Sequence, residues 1–319
     1  MELQDIGLLV AKIRDNVARV IVGKENIIDL AMICVITGGH MLLEDVPGTG
    51  KTIFARALAS SIDCTFRRIQ FTPDLLPSDV TGINFFNQKE NNFVFRPGPV
   101  FSNIVLADEI NRATPRTQSA MLECMEERQV TIDGETKLLT APFLVIATQN
   151  PVEIQGTFPL PEAQLDRFLI KTSMGYPDTR EGINILKRFK ENNPLSELKA
   201  VAASDDINEA SRLYSQVRVS DDILEYITRL TEATRKHPNA HLGVSPRGAL
   251  ALLKAVQVYA LLKSRTFVTP DDVKAMAAPV LAHRIIPKGL SAENISASEK
   301  IISDVLTHTA VPLEQEQVR

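Results

Sequence analysis

Over roughly the first 175 residues, short apolar runs alternate with helical periodicities. The runs that read as buried strands are His40–Glu44, Arg67–Phe71, Ile104–Asp108 and Phe143–Thr148. A fifth, Arg167–Ser173, follows the helix-like stretch Pro161–Asp166. Each is a short cluster of Val, Ile, Leu or Phe that ends in polar or glycine-containing sequence, the pattern of a strand covered on both faces. Such alternation predicts βα units around a mostly parallel, five-stranded sheet.

Two segments break the rhythm. Thr81–Asn87, a polar turn at Gln88–Asn92, and Phe93–Arg96 predict a hairpin with Phe85, Phe86, Phe93 and Phe95 near its middle. The second is Gln129–Ile132, then Asp133-Gly134, then Glu135–Leu139, and Asp-Gly between alternating strands is a strong hairpin signal.

After Tyr176-Pro177 helical periodicity takes over, over Thr179–Lys190, Asp206–Gln216, Asp221–Arg235, Pro246–Lys263 and Asp271–Ala282. Ser220-Asp221-Asp222, Ser245-Pro246 and Thr269-Pro270-Asp271-Asp272 supply caps and first-turn prolines. The expected organisation is an α/β domain over 1–177, with a hairpin insert around 81–97, followed by a smaller all-α domain over 178–319. Glu314–Arg319 reads as a frayed end.

Composition narrows the class. The chain has 319 residues, 44% hydrophobic and 23% charged, which is ordinary for a globular protein. Its net charge is −4; residues 1–177 carry 16 Lys/Arg against 21 Asp/Glu, and residues 178–319 carry 19 against 18. Neither half has the basic surplus of a phosphate-tracking module, which argues against nucleic acid as a partner. Cys34, Cys64 and Cys124 lack ligand-like spacing and read as free thiols in a reducing compartment. The apolar stretch Ile27–Leu43 is broken by Asp29, Gly38-Gly39 and His40, too broken for a membrane span. Met1–Asp5 lacks the layout of a secretion signal. A cytoplasmic location is the expectation.

The chemistry begins after the first strand. Asp45-Val46-Pro47-Gly48-Thr49-Gly50-Lys51-Thr52 runs into the helical Ile53–Ser61. Binding a triphosphate requires backbone N–H groups near phosphate oxygens, hence residues without Cβ at Gly48 and Gly50. It also requires a helix N-terminus facing the anion, a lysine for the β/γ oxygens and a hydroxyl for Mg²⁺. All are present. One position departs from the strict pattern, since Asp45 stands where the outer glycine is usual. Further on, the apolar run Ile104–Ala107 ends in Asp108-Glu109. There Asp108 suits the metal side and Glu109 suits the base that polarises the attacking water. Asn150, at the end of the next strand in Gln149-Asn150-Pro151, suits orientation of that water and the γ-phosphate. Arginine usually neutralises the transition state, and Arg167 and Arg247 both stand in suitable contexts.

Together these segments resemble an AAA+ ATPase, a P-loop NTPase, and within that superfamily the MoxR family. The marks are Leu43–Gly48, Gln70–Asp79, Ala107–Ala113, Ala147–Pro151, Leu160–Phe168 and Gly243–Gly248. The resemblance covers nearly the whole chain. It implies ATP and Mg²⁺, with Val46–Ile53 around the phosphates and Thr52 and Asp108 at the metal. It implies that Val22 and Gly23, at the entry to the first helix, lie against adenine. Asn150 would be sensor 1, Arg247 sensor 2 on its own subunit's nucleotide, and Arg167 an arginine finger acting on a neighbour. A finger in trans implies a ring, a hexamer. The second domain would be the helical lid.

The workload is a separate matter. Such ATPases typically act with a separate von Willebrand A-domain protein to remodel, activate or mature client proteins. The alternatives are a nucleic-acid-dependent motor and a nucleotide-gated scaffold. Both hairpins are nearly neutral, and the first carries aromatics that either contact a protein or pack on their own sheet.

Overall fold

The computed structural model describes residues 1–89, 91–151, 156–191, 193–289 and 295–312. Glu90 in the first hairpin and the tail Glu314–Arg319 lie outside them. The chain forms two compact units, residues 9–211, and residues 1–8 with 212–319.

In the larger unit a five-stranded parallel sheet has the order β2-β5-β8-β1-β9. Its strands are β1 (Met41–Glu44), β2 (Phe66–Gln70), β5 (Ile104–Asp108), β8 (Leu144–Gln149) and β9 (Ile170–Thr172). The helices before and between them are α1 (Leu3–Ala18), α2 (Glu25–Thr37), α3 (Lys51–Ser61), α4 (Pro77–Thr81), α5 (Pro115–Glu127) and α6 (Glu162–Leu165). All five residues of β5 are buried, as are the first five of β8. Leu42, Phe71, Val105, Val145 and Phe168 belong to the core cluster they form with Met121, Leu122 and Met125 of α5. β2 differs from expectation. Only Ile69 is buried, and Arg67, Arg68 and Gln70 are exposed, because β2 is an edge strand rather than an interior one.

The two expected hairpins form. β3 (Gly82–Asn87) pairs with β4 (Asn92–Pro97), and β6 (Gln129–Ile132) with β7 (Glu135–Leu138). Asp133 and Gly134 both have positive φ, +50° and +83°, as a two-residue turn matching strand twist requires. The hairpins brace each other: Asn84 Nδ2 donates to Asp133 Oδ2 (2.8 Å), and Lys137 Nζ stands 4.8 Å from the Phe95 ring centre. Phe95 also packs edge-to-face on Phe101, whereas Phe85, Phe86 and Phe93 stay exposed.

The expected boundary at Tyr176-Pro177 is not where the contacts divide. α7 (Thr179–Glu191) and most of α8 (Ser204–Leu213) belong to the larger unit. Arg188 donates to the carbonyls of Ala18 (2.6 Å) and Arg19 (2.8 Å). Asn16 Nδ2 donates to Lys199 O (2.9 Å), Val201 N to Ser61 O (2.9 Å), and Ser211 Oγ to Ile36 O. The smaller unit holds α9 (Asp221–Lys236), α10 (Pro246–Leu262), α11 (Pro270–Leu281) and α12 (Ile295–His308), with a short pairing of β10 (Ala240–Leu242) and β11 (Ile286–Pro287). Ser220 and Ser245 cap α9 and α10 by accepting from Ile223 N and Gly248 N. Among the described residues no helix is long and apolar enough to cross a membrane. Cys34, Cys64 and Cys124 form no disulfide; burial pushes the Cys64 and Cys124 thiols up to about 12, which makes them inert.

Candidate functional site

In a parallel sheet the crevice opens at the carboxyl ends of the strands. Here β1, β8 and β5 are consecutive neighbours, and their carboxyl ends deliver the phosphate loop, Asn150, and the pair Asp108-Glu109 to one place. A cavity of about 370 Å³ lies there. Pro47, Gly48, Gly50, Lys51, Thr52, Ile53, Asp108, Glu109 and Asn150 all line it, joined by Asp45, Arg68, Gln70, Thr148 and Gln149.

The loop has the shape its glycines dictate. Gly48 and Gly50 sit at φ +87° and +93°, where side-chain-bearing residues are strained, and the space a Cβ would take is open. Gly50 immediately precedes α3, so the first turn of that helix faces the cavity with its unpaired N–H groups. Lys51 Nζ lies across the loop, 3.0 Å from the carbonyl oxygens of both Asp45 and Val46. Thr49 Oγ1 approaches Val46 O at 3.5 Å, a marginal contact, and does not line the cavity. The site fits a triphosphate with a hard divalent cation: an open, N–H-lined loop, a lysine, and oxygen donors at Thr52 and Asp108.

Asp45, the departure from the usual glycine, has its backbone in the cradle and its side chain engaged elsewhere. Its buried carboxylate accepts from Ser173 Oγ (2.8 Å), Met174 N (2.6 Å) and Gly175 N (3.0 Å). It therefore ties the loop to the chain leaving β9.

The two acids have different partners. Asp108 Oδ1 accepts from Thr148 Oγ1 (2.7 Å), and Oδ2 accepts from Arg68 Nε (3.0 Å) and Nη2 (2.6 Å). Glu109 turns into left-handed backbone at φ +57°, which ends β5 abruptly. Its N–H donates to Thr148 Oγ1 (2.8 Å), while its carboxylate accepts from Gln70 Nε2 (2.7 Å) and pairs with Arg112 Nε (3.3 Å). Sequence reasoning missed Arg68, Gln70 and Thr148. Thr148, a hydroxyl closing an otherwise apolar strand, was the readable signal; the other two face the acids through strand register, Gln70 opposite Asp108.

Val22, Gly23 and Arg167, of the same unit, do not line the cavity. Val22 and Gly23 lie not at the first helix but between α1 and α2. A Cβ on Gly23, at φ +70°, would collide with the Glu181 carboxylate of α7. Lys24 Nζ stands 3.6 Å from Glu181 and donates to Tyr176 O (3.4 Å). Arg167, between α6 and β9, is partly exposed and pairs through Nε with Glu126 (2.9 Å). Arg247 is exposed on the first turn of α10, in the smaller unit.

Comparison with known proteins bears on the family. Residues 40–170 match the model of the ATPase family associated with various cellular activities (AAA), and residues 232–305 match the AAA lid domain. The chain is 50% identical over 318 residues to the uncharacterized protein YeaC of Bacillus subtilis, covering 99% of each. It is 38% identical to Chaperone MoxR1 of Mycobacterium tuberculosis, over 93% of this chain and 81% of that one. Protein MoxR of Paracoccus denitrificans is 32% identical, over 86% and 88%. The crystal structure of a Cytophaga hutchinsonii protein assigned as an ATPase superposes with a TM-score of 0.89 at 38% identity, covering 98% and 97% of the chains. The chain thus belongs to the MoxR family of AAA+ ATPases, and it binds and hydrolyses ATP.

Proposed function

We propose that this ATPase works as a ring of identical subunits in the cytoplasm, driving chaperone-like remodelling, activation or maturation of partner proteins. The observation that carries the hydrolytic part is the convergence of Lys51, Thr52, Asp108, Glu109 and Asn150 on one cavity. Lys51 and the loop N–H groups hold the phosphates, and Thr52 and Asp108 would hold Mg²⁺, which would supply neutralisation of phosphate charge. Glu109 takes the proton of the attacking water, and Asn150 orients the water. Arg247 reads the nucleotide of its own subunit, and Val22 and Gly23 lie beside the adenine.

Arg167 acts on the neighbouring subunit. Its place outside the cavity, on a partly exposed surface, supports that direction, and a ring of six is the arrangement it implies. The exposed Phe85, Phe86 and Phe93, on a hairpin with little positive charge, favour a protein client over a nucleic acid. A separate protein with a von Willebrand A domain is the expected adaptor.

Glu109→Gln tests the reading. It is expected to bind ATP while turnover falls by about 10²–10⁴-fold, and the stalled form should retain its client for identification by mass spectrometry. Undiminished turnover removes Glu109 as the base. If single- or double-stranded DNA stimulates hydrolysis and no protein partner does, the remodelling reading fails.

A further inference from the structure

The metal-side carboxylate already has a cation beside it. Asp108 is 9% exposed, and both its oxygens are engaged, one by Thr148 and the other by two nitrogens of Arg68. Arg68 comes from edge strand β2, opposite Leu106, and reaches two residues along the sheet to Asp108. Its side chain remains 45% exposed, so it has an open path away from the carboxylate. The same Nη2 bonds Gln70 Oε1 (2.5 Å), and Gln70 Nε2 bonds Glu109 Oε2 (2.7 Å). An unbroken line of hydrogen bonds therefore runs from Asp108 through Arg68 and Gln70 to Glu109. A nearly buried carboxylate is costly without a counter-charge, which a guanidinium supplies through paired, charge-assisted hydrogen bonds. A divalent cation held by this acid, directly or through its water, draws on the same carboxylate charge.

We propose that Arg68 is a built-in counter-cation for Asp108. A divalent cation competes with it for that carboxylate. The inference rests on the reading of Asp108 as the metal-side acid. It makes Arg68 a positioning residue that sets how much Mg²⁺ the site needs.

The test is equilibrium binding without turnover. Fluorescent ADP is titrated with Mg²⁺, and the free Mg²⁺ giving half of the signal change is recorded for the full chain. Arg68→Met is expected to lower that concentration by about tenfold, within the range of coupling between sites. Arg68→Lys, which keeps the charge but loses the fork, should fall in between. An unchanged or raised value in Arg68→Met overturns the proposal, and so does parental behaviour of Arg68→Lys if Arg68→Met does not fold. Asp108→Asn separates the two failures. A half-saturating Mg²⁺ that stays at the parental value in it removes Asp108 as the metal acid. Dependence lost there but unmoved in the Arg68 variants removes the role of Arg68 alone.

Discussion

At the scale of single residues, the site was legible wherever the chemistry is local in sequence. A phosphate loop needs its glycines, lysine and hydroxyl in one turn, so Gly48, Gly50, Lys51 and Thr52 announce themselves. Arg68 and Gln70 do not, because their roles come from lying beside Asp108 across a strand pair, and register is not written in either strand. His40 shows the same limit. It interrupts an apolar stretch in the sequence, yet in the fold it is buried. Its ring nitrogens meet Met125 O (2.9 Å) and the Val145 N–H (3.0 Å). Val145 N must donate to Nδ1, so the ring is neutral with its proton on Nε2. Burial, the largest cause, holds its pKa down at about 4. Because the folded value lies below that of the unfolded chain, the unfolded chain binds the proton first. The stability is present above about pH 6.5 and lost as pH falls. The core unit should lose about 3 kcal/mol by pH 4 from this group, read as a shift in urea midpoint that a His40→Gln variant does not show.

At the scale of elements, the five strands, both hairpins and the capped helices of the smaller unit follow from period, turn chemistry and caps. The boundary did not follow. Tyr176-Pro177 marks a change from strands to helices, but composition cannot reveal that Arg188, far along the chain, closes the end of α1. The last carbonyls of a helix lack partners within it, and Arg188 supplies two hydrogen bonds to Ala18 and Arg19. Arg188→Ala is expected to cost about 1 kcal/mol, below the usual range for charged hydrogen bonds because the position is exposed. Amide hydrogen exchange should then rise over Thr179–Glu191. Unchanged protection there means that other contacts seat α7. Because Glu181 of α7 packs on Gly23, the same variant should weaken ATP binding if Val22-Gly23 lies beside adenine.

At the scale of the whole molecule, the proposed finger makes activity a property of neighbours. Arg167→Ala and Lys51→Ala subunits are each expected to be inactive alone. Mixed rings should recover a fraction of turnover, because some interfaces then join an intact cradle to an intact finger. Mixed rings of confirmed composition without any recovery place the action of Arg167 within its own subunit. The sheet order carries a different consequence, for the birth of the protein. β1 and β5, which bring the cradle and the acids, share no edge; β8 lies between them and pairs with both. A chain leaving the ribosome therefore carries Lys51 and Asp108 long before it can hold them together. Until residues 144–149 have emerged and slotted in, it has no nucleotide site, and ATP cannot stabilise it during the first half of its synthesis.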